Sequence, residues 1–260
     1  MNTLSLIVLF CFLGGALSVL SASVFLLFPE KIRTRMMPHL ISFAIGALLG
    51  AAFLALLPHA MLEAHGTDIH TITLTVLLGI LGFFALEKTI LWRHCHHVGC
   101  EAHMPDHQET TSHATGVIVL LGDALHNLVD GVLIAAAFLT DTHLGIVTAL
   151  AVAAHEIPQE VGDFAVLLHS GFNRGKAFKF NLLSSFTTVV GGVIAYFGLS
   201  GFESVLPFVL AIAASSFIYI AVADLIPGLH KRPEPIVTLQ QVALIISGVL
   251  VIYVAHSTLH

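Results

Sequence analysis

The sequence predicts an all-α fold: an integral membrane bundle of eight transmembrane helices, set out as three, two and three helices in an inverted repeat. Three observations predict it. Of the 260 residues, 57% are hydrophobic and only 10% are charged, against about 25% charged in an ordinary soluble domain. Eight apolar stretches reach the ~20 residues that a helix needs to cross a hydrocarbon core. The basic residues fall at alternate loops, as they do when one side faces the cytosol. The net charge of −6 therefore says little about partners. The Lys and Arg residues form no patch suited to nucleic acid. Cys11, Cys95 and Cys100 are too few and too scattered for a disulfide framework.

The first stretch, α1, covers roughly residues 4–28. It has no basic leader and its apolar run is too long for a secretory signal, so it reads as a permanent helix. The others are roughly 39–62 (α2), 70–92 (α3), 115–139 (α4), 144–169 (α5), 177–200 (α6), 205–227 (α7) and 236–256 (α8). Lys31, Arg33 and Arg35 follow α1, Lys88 and Arg93 end α3, Arg174, Lys176 and Lys179 follow α5, and Lys231 and Arg232 follow α7. The opposite side carries Glu63, Asp68, Asp141 and Glu203 and no basic residue. Both termini are expected on the extracytoplasmic side. The compact size points to a prokaryotic inner (cytoplasmic) membrane.

"LLPHA", Leu56 to Ala60, closes α2, and "LIPGL", Leu225 to Leu229, closes α7. These two helices run in opposite directions. That suggests an inverted repeat of α1–α3 and α6–α8 around α4 and α5, a common transporter plan. The chain reads as a single membrane domain: residues 1–92 hold α1–α3, 93–114 a His-rich cytosolic loop, and 115–260 hold α4–α8. The loop lies in "RHCHHVGCEAHMPDHQETTSHATG", Arg93 to Gly116, and contains His94, His96, His97, His103, His107 and His113. Its composition suits a flexible, metal-attracting tract, but no spacing in it matches a closed zinc module. Deleting it is expected to change metal sensitivity more than maximal activity.

The chemistry is concentrated in α4 and α5. Helix α4 contains "GDALHNLVDG", Gly122 to Gly131. With His126 at zero on a helical wheel, Asp130 falls near ~40°, Asp123 near ~60° and Asn127 near ~100°. Helix α5 contains "HEIPQEVGDF", His155 to Phe164. With His155 at zero, Gln159 falls near ~40°, Asp163 near ~80°, Glu156 near ~100° and Glu160 near ~140°. Each set shares a face. Ionisable residues cost about 2.5–3.5 kcal/mol each at the bilayer centre by insertion scales, so these faces must meet each other, a water path or a bound cation. No Lys or Arg stands within these segments to neutralise five carboxylates, which favours a divalent metal. Pro158 is expected to kink α5 beside the cluster and free a carbonyl. Gly131 and Gly162 are expected to allow close helix approach. The ligands are imidazole, carboxylate and amide with no thiolate, which suits Zn²⁺ first, with Fe²⁺, Mn²⁺ or Cd²⁺ as alternatives. Asp123 and Asp163 are candidates to orient ligands. Asp224, His230 and His59 are candidates along the path.

The chain resembles the ZIP family of divalent-metal transporters over essentially its whole length. "HNLVDG" resembles the family's helix-4 signature HNxxDG, and "HEIPQEVGD" resembles the helix-5 signature HExPHExGD. The resemblance implies a transport site between α4 and α5, uptake of metal into the cytosol, dimers, and an elevator-like motion of α1, α4, α5 and α6 against the rest. Carried onto this chain, His126, Asp130, His155 and Gln159 match the primary metal site. Asn127 and Glu156 match an adjacent position that shares Asp130. Glu160 and Asp163 belong to the motif. The chain departs from the pattern twice. Gln159 stands where a second histidine is usual, and an amide oxygen is the weaker zinc donor. Thr188 stands near the place where other branches carry a helix-6 glutamate. The expected function is thus a secondary transporter of a divalent cation, embedded in the bilayer as a homodimer, and not an enzyme. The competing readings are a membrane metal sensor or chaperone and an intramembrane metallohydrolase. The last is disfavoured because "HEIPQ" lacks the second histidine of H-E-x-x-H.

Overall fold

A computed structural model describes residues 2–64, 68–95, 113–230 and 234–259. His96, His97, His103 and His107 of the predicted loop lie outside the described residues, as does the side chain of His94. The described chain is helical throughout: α1 Thr3–Phe25, α2 Glu30–Leu62, α3 Ile69–Cys95, α4 His113–Thr140, α5 Thr142–His169, α6 Arg174–Leu199, α7 Glu203–Leu229 and α8 Pro235–Leu259. Seven of these are long and apolar enough to cross a membrane. The exception is α5, whose 28 residues suffice in length but whose polar residues lower its hydropathy. Large apolar side chains such as Leu27, Phe197 and Leu183 stand on the outside, as a lipid-facing surface requires.

Two helices differ from their predicted extents. Helix α2 begins at Glu30, well before the predicted start, because its first turns are amphipathic and carry Lys31, Arg33 and Arg35 rather than an apolar run. Helix α6 is interrupted at Phe186, between Arg174–Ser185 and Thr187–Leu199. By contrast, α5 stays helical through Pro158. The marked local irregularities are elsewhere. Ala52–Leu56 in α2 and Ile220–Leu225 in α7 are π-helical turns, and each leads into a proline, Pro58 or Pro227. Proline lacks an N–H and its ring crowds the carbonyl four residues back; a wider turn relieves that crowding. Each π-turn packs against the other helix.

The helices pack as two groups. In the first, α1 lies on α4, α5 and α6, and α4 lies on α6. In the second, α2 packs on α8 and α7, and α3 on α7. Each group is built on a close glycine crossing. A Cβ on Gly131 would sit 1.9 Å from the Thr188 carbonyl oxygen, and one on Gly191 2.0 Å from that of Leu128, which locks α4 to α6. A Cβ on Gly46 would sit 2.0 Å from the Ile245 oxygen, and one on Gly248 2.3 Å from that of Phe43, which locks α2 to α8. Gly162, expected to play a similar part, is exposed and would meet nothing within 4 Å; it lies on the outer face of α5. The groups meet where α2 contacts α5, α4 contacts α7, and α5 contacts α8.

Candidate metal centre

Asp141 is the single residue joining α4 to α5. Its carboxylate caps α5 by accepting from the His143 amide at 2.8 Å and the Leu144 amide at 2.9 Å. A one-residue turn leaves the two helices no choice but to run antiparallel side by side. Their polar faces then meet. On α4 the apolar Leu121 and Leu125 point outward while Asp123, Asn127 and Asp130 are buried.

At the centre, the Nε2 atoms of His126 and His155 are 3.2 Å apart. Asp130 Oδ2 lies 3.2 Å from His155 Nε2 and 3.8 Å from His126 Nε2. Glu156 Oε1 lies 3.6 Å from His126 Nε2 and 3.8 Å from His155 Nε2. These four ligand atoms all lie within 4.8 Å of one another. The edge of a tetrahedron around zinc, with bonds of about 2.0–2.1 Å, is about 3.3 Å, so the spacing is that of a cation's donor set. The His155 Nδ1 faces the Ala151 carbonyl at 3.2 Å. That contact places the proton on Nδ1 and turns the Nε2 lone pair inward, the usual arrangement of a ligating histidine. Both carboxylate oxygens of Asp130 and of Glu156 lack a hydrogen-bond donor. Buried charges are ordinarily paired or coordinate a metal. The donor set therefore fits a divalent cation.

Exposure within the set is uneven. Asp130, His155 and Glu156 are buried, while the His126 side chain keeps 27% of its surface. Phe217 of α7 packs against the set, its ring centroid 6.2 Å from that of His155. His126 lines a cavity of about 310 Å³ between α3, α4 and α7, whose walls include Glu87, Tyr219 and Asp224. Tyr219 Oη donates to Glu87 Oε2.

The remaining predicted residues form a second polar layer. The Asn127 amide donates to Asp123 Oδ1 at 2.9 Å and to the Asp123 carbonyl at 3.2 Å, while its oxygen accepts from Thr188 Oγ1 at 2.7 Å. Gln159 Nε2 donates to Asp123 Oδ1 at 3.4 Å. Asp163 stands beside Asp123. Glu160 is fully buried and neither of its oxygens has a hydrogen-bond partner. Helix α6 fastens this layer: Ser184 and Thr187 donate to the Leu120 and Ala124 carbonyls at 3.2 and 2.6 Å. Of the predicted set, the structure gathers His126, Asp130, His155 and Glu156 into one donor group. It turns Asn127 and Gln159 toward Asp123, puts Asp224 on the cavity wall, and leaves His59 at the end of α2, against His256 of α8. Sequence reasoning missed Glu87. The signal was present: it is a lone acid within an apolar helix, where an ionisable residue is costly.

The profile of the "ZIP Zinc transporter" family matches residues 92–256. "Zinc transporter ZIP13" of Pongo abelii is 34% identical over 263 residues, covering 93% of this chain and 76% of that protein. "Zinc transporter ZIP13" of Mus musculus is 32% identical, covering 93% of this chain and 78% of that protein. "Zinc transporter ZIP4" of Homo sapiens is 40% identical over 119 residues, covering 45% of this chain and 18% of that protein.

Proposed function

The chain belongs to the ZIP zinc transporter family, and on that premise we propose that it carries a divalent cation, zinc first, into the cytosol through the site between α4 and α5. The observation that carries the reading is the set of His126, Asp130, His155 and Glu156, four gathered donors whose carboxylates have no hydrogen-bond partner and of which His126 lines a cavity. A hydrated cation arriving there exchanges water for imidazole nitrogen and carboxylate oxygen. Asn127 and Gln159 hold Asp123 beside the set, and Thr188 holds Asn127. The outgoing ion passes His126 into the cavity, where Glu87 and Asp224 are the next carboxylates it meets. His230, near the end of α7, follows.

With both termini extracytoplasmic, that cavity faces the cytosol. The paired π-turns before Pro58 and Pro227 support an inverted repeat of α1–α3 and α6–α8 about α4 and α5. The separate packing of α1, α4, α5 and α6 supports their motion as a body against the other four helices. Fe²⁺, Mn²⁺ and Cd²⁺ are alternative cargoes for the same donors, and the carrier works as a homodimer.

The test is metal influx into proteoliposomes that trap a metal-sensitive dye. Wild type is expected to admit zinc, and a folded Asp130→Ala, His155→Ala double variant to admit none. Equal influx in both would remove the site from between α4 and α5. Zinc binding by wild type with no influx would make the protein a sensor.

A further inference from the structure

We propose that the groove between α4 and α6 seats one phospholipid with an anionic headgroup, its phosphate on Lys176 and an acyl chain along the groove. The groove is a cavity of about 590 Å³, with Val117 and Leu121 of α4 on one wall and Phe180, Leu183 and Val190 of α6 on the other. Val117, Leu121 and Leu183 are exposed, so the walls open to the hydrocarbon around the bundle. Lys176 stands among the lining residues, and among the described residues no carboxylate does. From Lys176 to Val190 the helical rise spans about 21 Å. One leaflet of a ~30 Å hydrocarbon core is ~15 Å deep. The groove is therefore long enough for a chain whose headgroup lies level with Lys176.

Shape and charge both distinguish this groove from ordinary lipid-facing surface. Lys176 and Phe180 are one turn apart, on one face of α6. The Phe180 ring meets that of Phe172 edge to face, with centroids 5.7 Å apart. Gly116 lets Phe172 lie against the start of α4, since a Cβ there would sit 2.7 Å from the ring. The groove thus has an aromatic wall beside its cation. Arg174 and Lys179 stand within a turn of Lys176 at the start of α6. All three are exposed, and among the described residues none of them forms an ion pair. Cations at the rim of an apolar groove between transmembrane helices favour an anionic headgroup over a zwitterionic one. The seated chain lies over the bonds from Ser184 and Thr187 to the Leu120 and Ala124 carbonyls, because all four residues line the groove. It holds α6 against α4, the helix of His126 and Asp130, and so stabilises the folded protein.

Native mass spectrometry of the full chain in a neutral detergent tests the seat, with dioleoyl phosphatidylglycerol and dioleoyl phosphatidylcholine added in equal amounts. Wild type is expected to retain one phosphatidylglycerol per chain in preference to phosphatidylcholine. Lys176→Glu is expected to weaken that retention at least about tenfold. Leu183→Trp, which fills the groove and leaves its charge intact, is expected to lose it as well. Lys31→Glu makes the same charge change on α2, outside the groove, and is expected to keep it. Equal retention of the two lipids by wild type overturns the seat. So does wild-type retention by Lys176→Glu or by Leu183→Trp, or an equal loss in Lys31→Glu. Should Leu183→Trp turn an oligomer into a monomer with phosphatidylglycerol still bound, a second copy of the chain fills the groove and the lipid seat is overturned. Should Lys176→Glu misfold, thermal melts of wild type decide: phosphatidylglycerol is expected to raise the melting temperature more than phosphatidylcholine does, and equal shifts overturn the proposal.

Discussion

The two glycine crossings make a natural comparison. Both bring backbones into contact, α4 to α6 at Gly131 and Gly191, and α2 to α8 at Gly46 and Gly248. What surrounds them differs. Beside the α4–α6 crossing, Ser184, Thr187 and Thr188 donate across to α4, and α5 adds the buried Glu156 and Glu160. Beside the α2–α8 crossing the buried residues are Ala44, Ile45, Ala47, Leu48 and Ile252, with Ser42 donating to the Pro38 carbonyl of its own helix at 2.7 Å. The first crossing is flanked by unsatisfied carboxyl groups; the second sits in apolar packing. Small-residue packing alone therefore does not mark the working part of a membrane bundle. The buried carboxyl oxygens left without partners, all on α4 and α5 among the described residues, set the first group apart.

The comparison is broken most directly at a ligand. Glu156→Gln is expected to lower zinc influx at least about 100-fold, yet to raise the melting temperature of the metal-free protein, because it removes one of two acids crowded into a single buried site beside Asp130. Leu210→Ala in α7, also fully buried, is expected to do the reverse. It should destabilise by about 2–5 kcal/mol while influx per folded molecule holds. Thermal melts and influx on the same preparations decide it; parallel losses in both variants would erase the distinction between the two crossings.

A smaller effect comes from the crossings. Gly191→Val drives a side chain into the Leu128 carbonyl, which the flanking backbone cannot yield. It should lower both melting temperature and zinc affinity, since α4 carries His126 and Asp130. Gly46→Val meets the Ile245 carbonyl and should lower the melting temperature alone. Calorimetric zinc titration of the two proteins separates them. Gln159→His is smaller again. It should tighten zinc about tenfold and slow its release, and unchanged half-saturation for zinc and for iron would refute it. The smallest change is Thr188→Val, which frees the Asn127 oxygen at a cost of about 1 kcal/mol, read as a modest fall in melting temperature.

Much of the site was legible because helical geometry converts spacing into neighbourhood. His126 and Asp130, four apart, were bound to share a face, and so were His155 and Gln159. The all-α membrane fold followed equally from composition and stretch length. Gln159 shows where spacing stops. Sharing a face with His155 does not fix where the amide points, and the nitrogen turns to Asp123. Gly162 shows the same limit, since a glycine on a helix can lie on either side of it.

By itself, then, the sequence determined what had to be hidden: the α4 and α5 carboxylates and histidines are too costly in lipid to stand anywhere but inside. Only the tertiary structure decided how they meet. It set His126 and His155 Nε2 3.2 Å apart, brought Glu87 and Asp224 from α3 and α7 to the same cavity, and placed the wide turns of α2 and α7 against each other's helices. Those are contacts between residues far apart in the chain. Their cause is the close packing of one helix on another, which periodicity along a single helix does not contain.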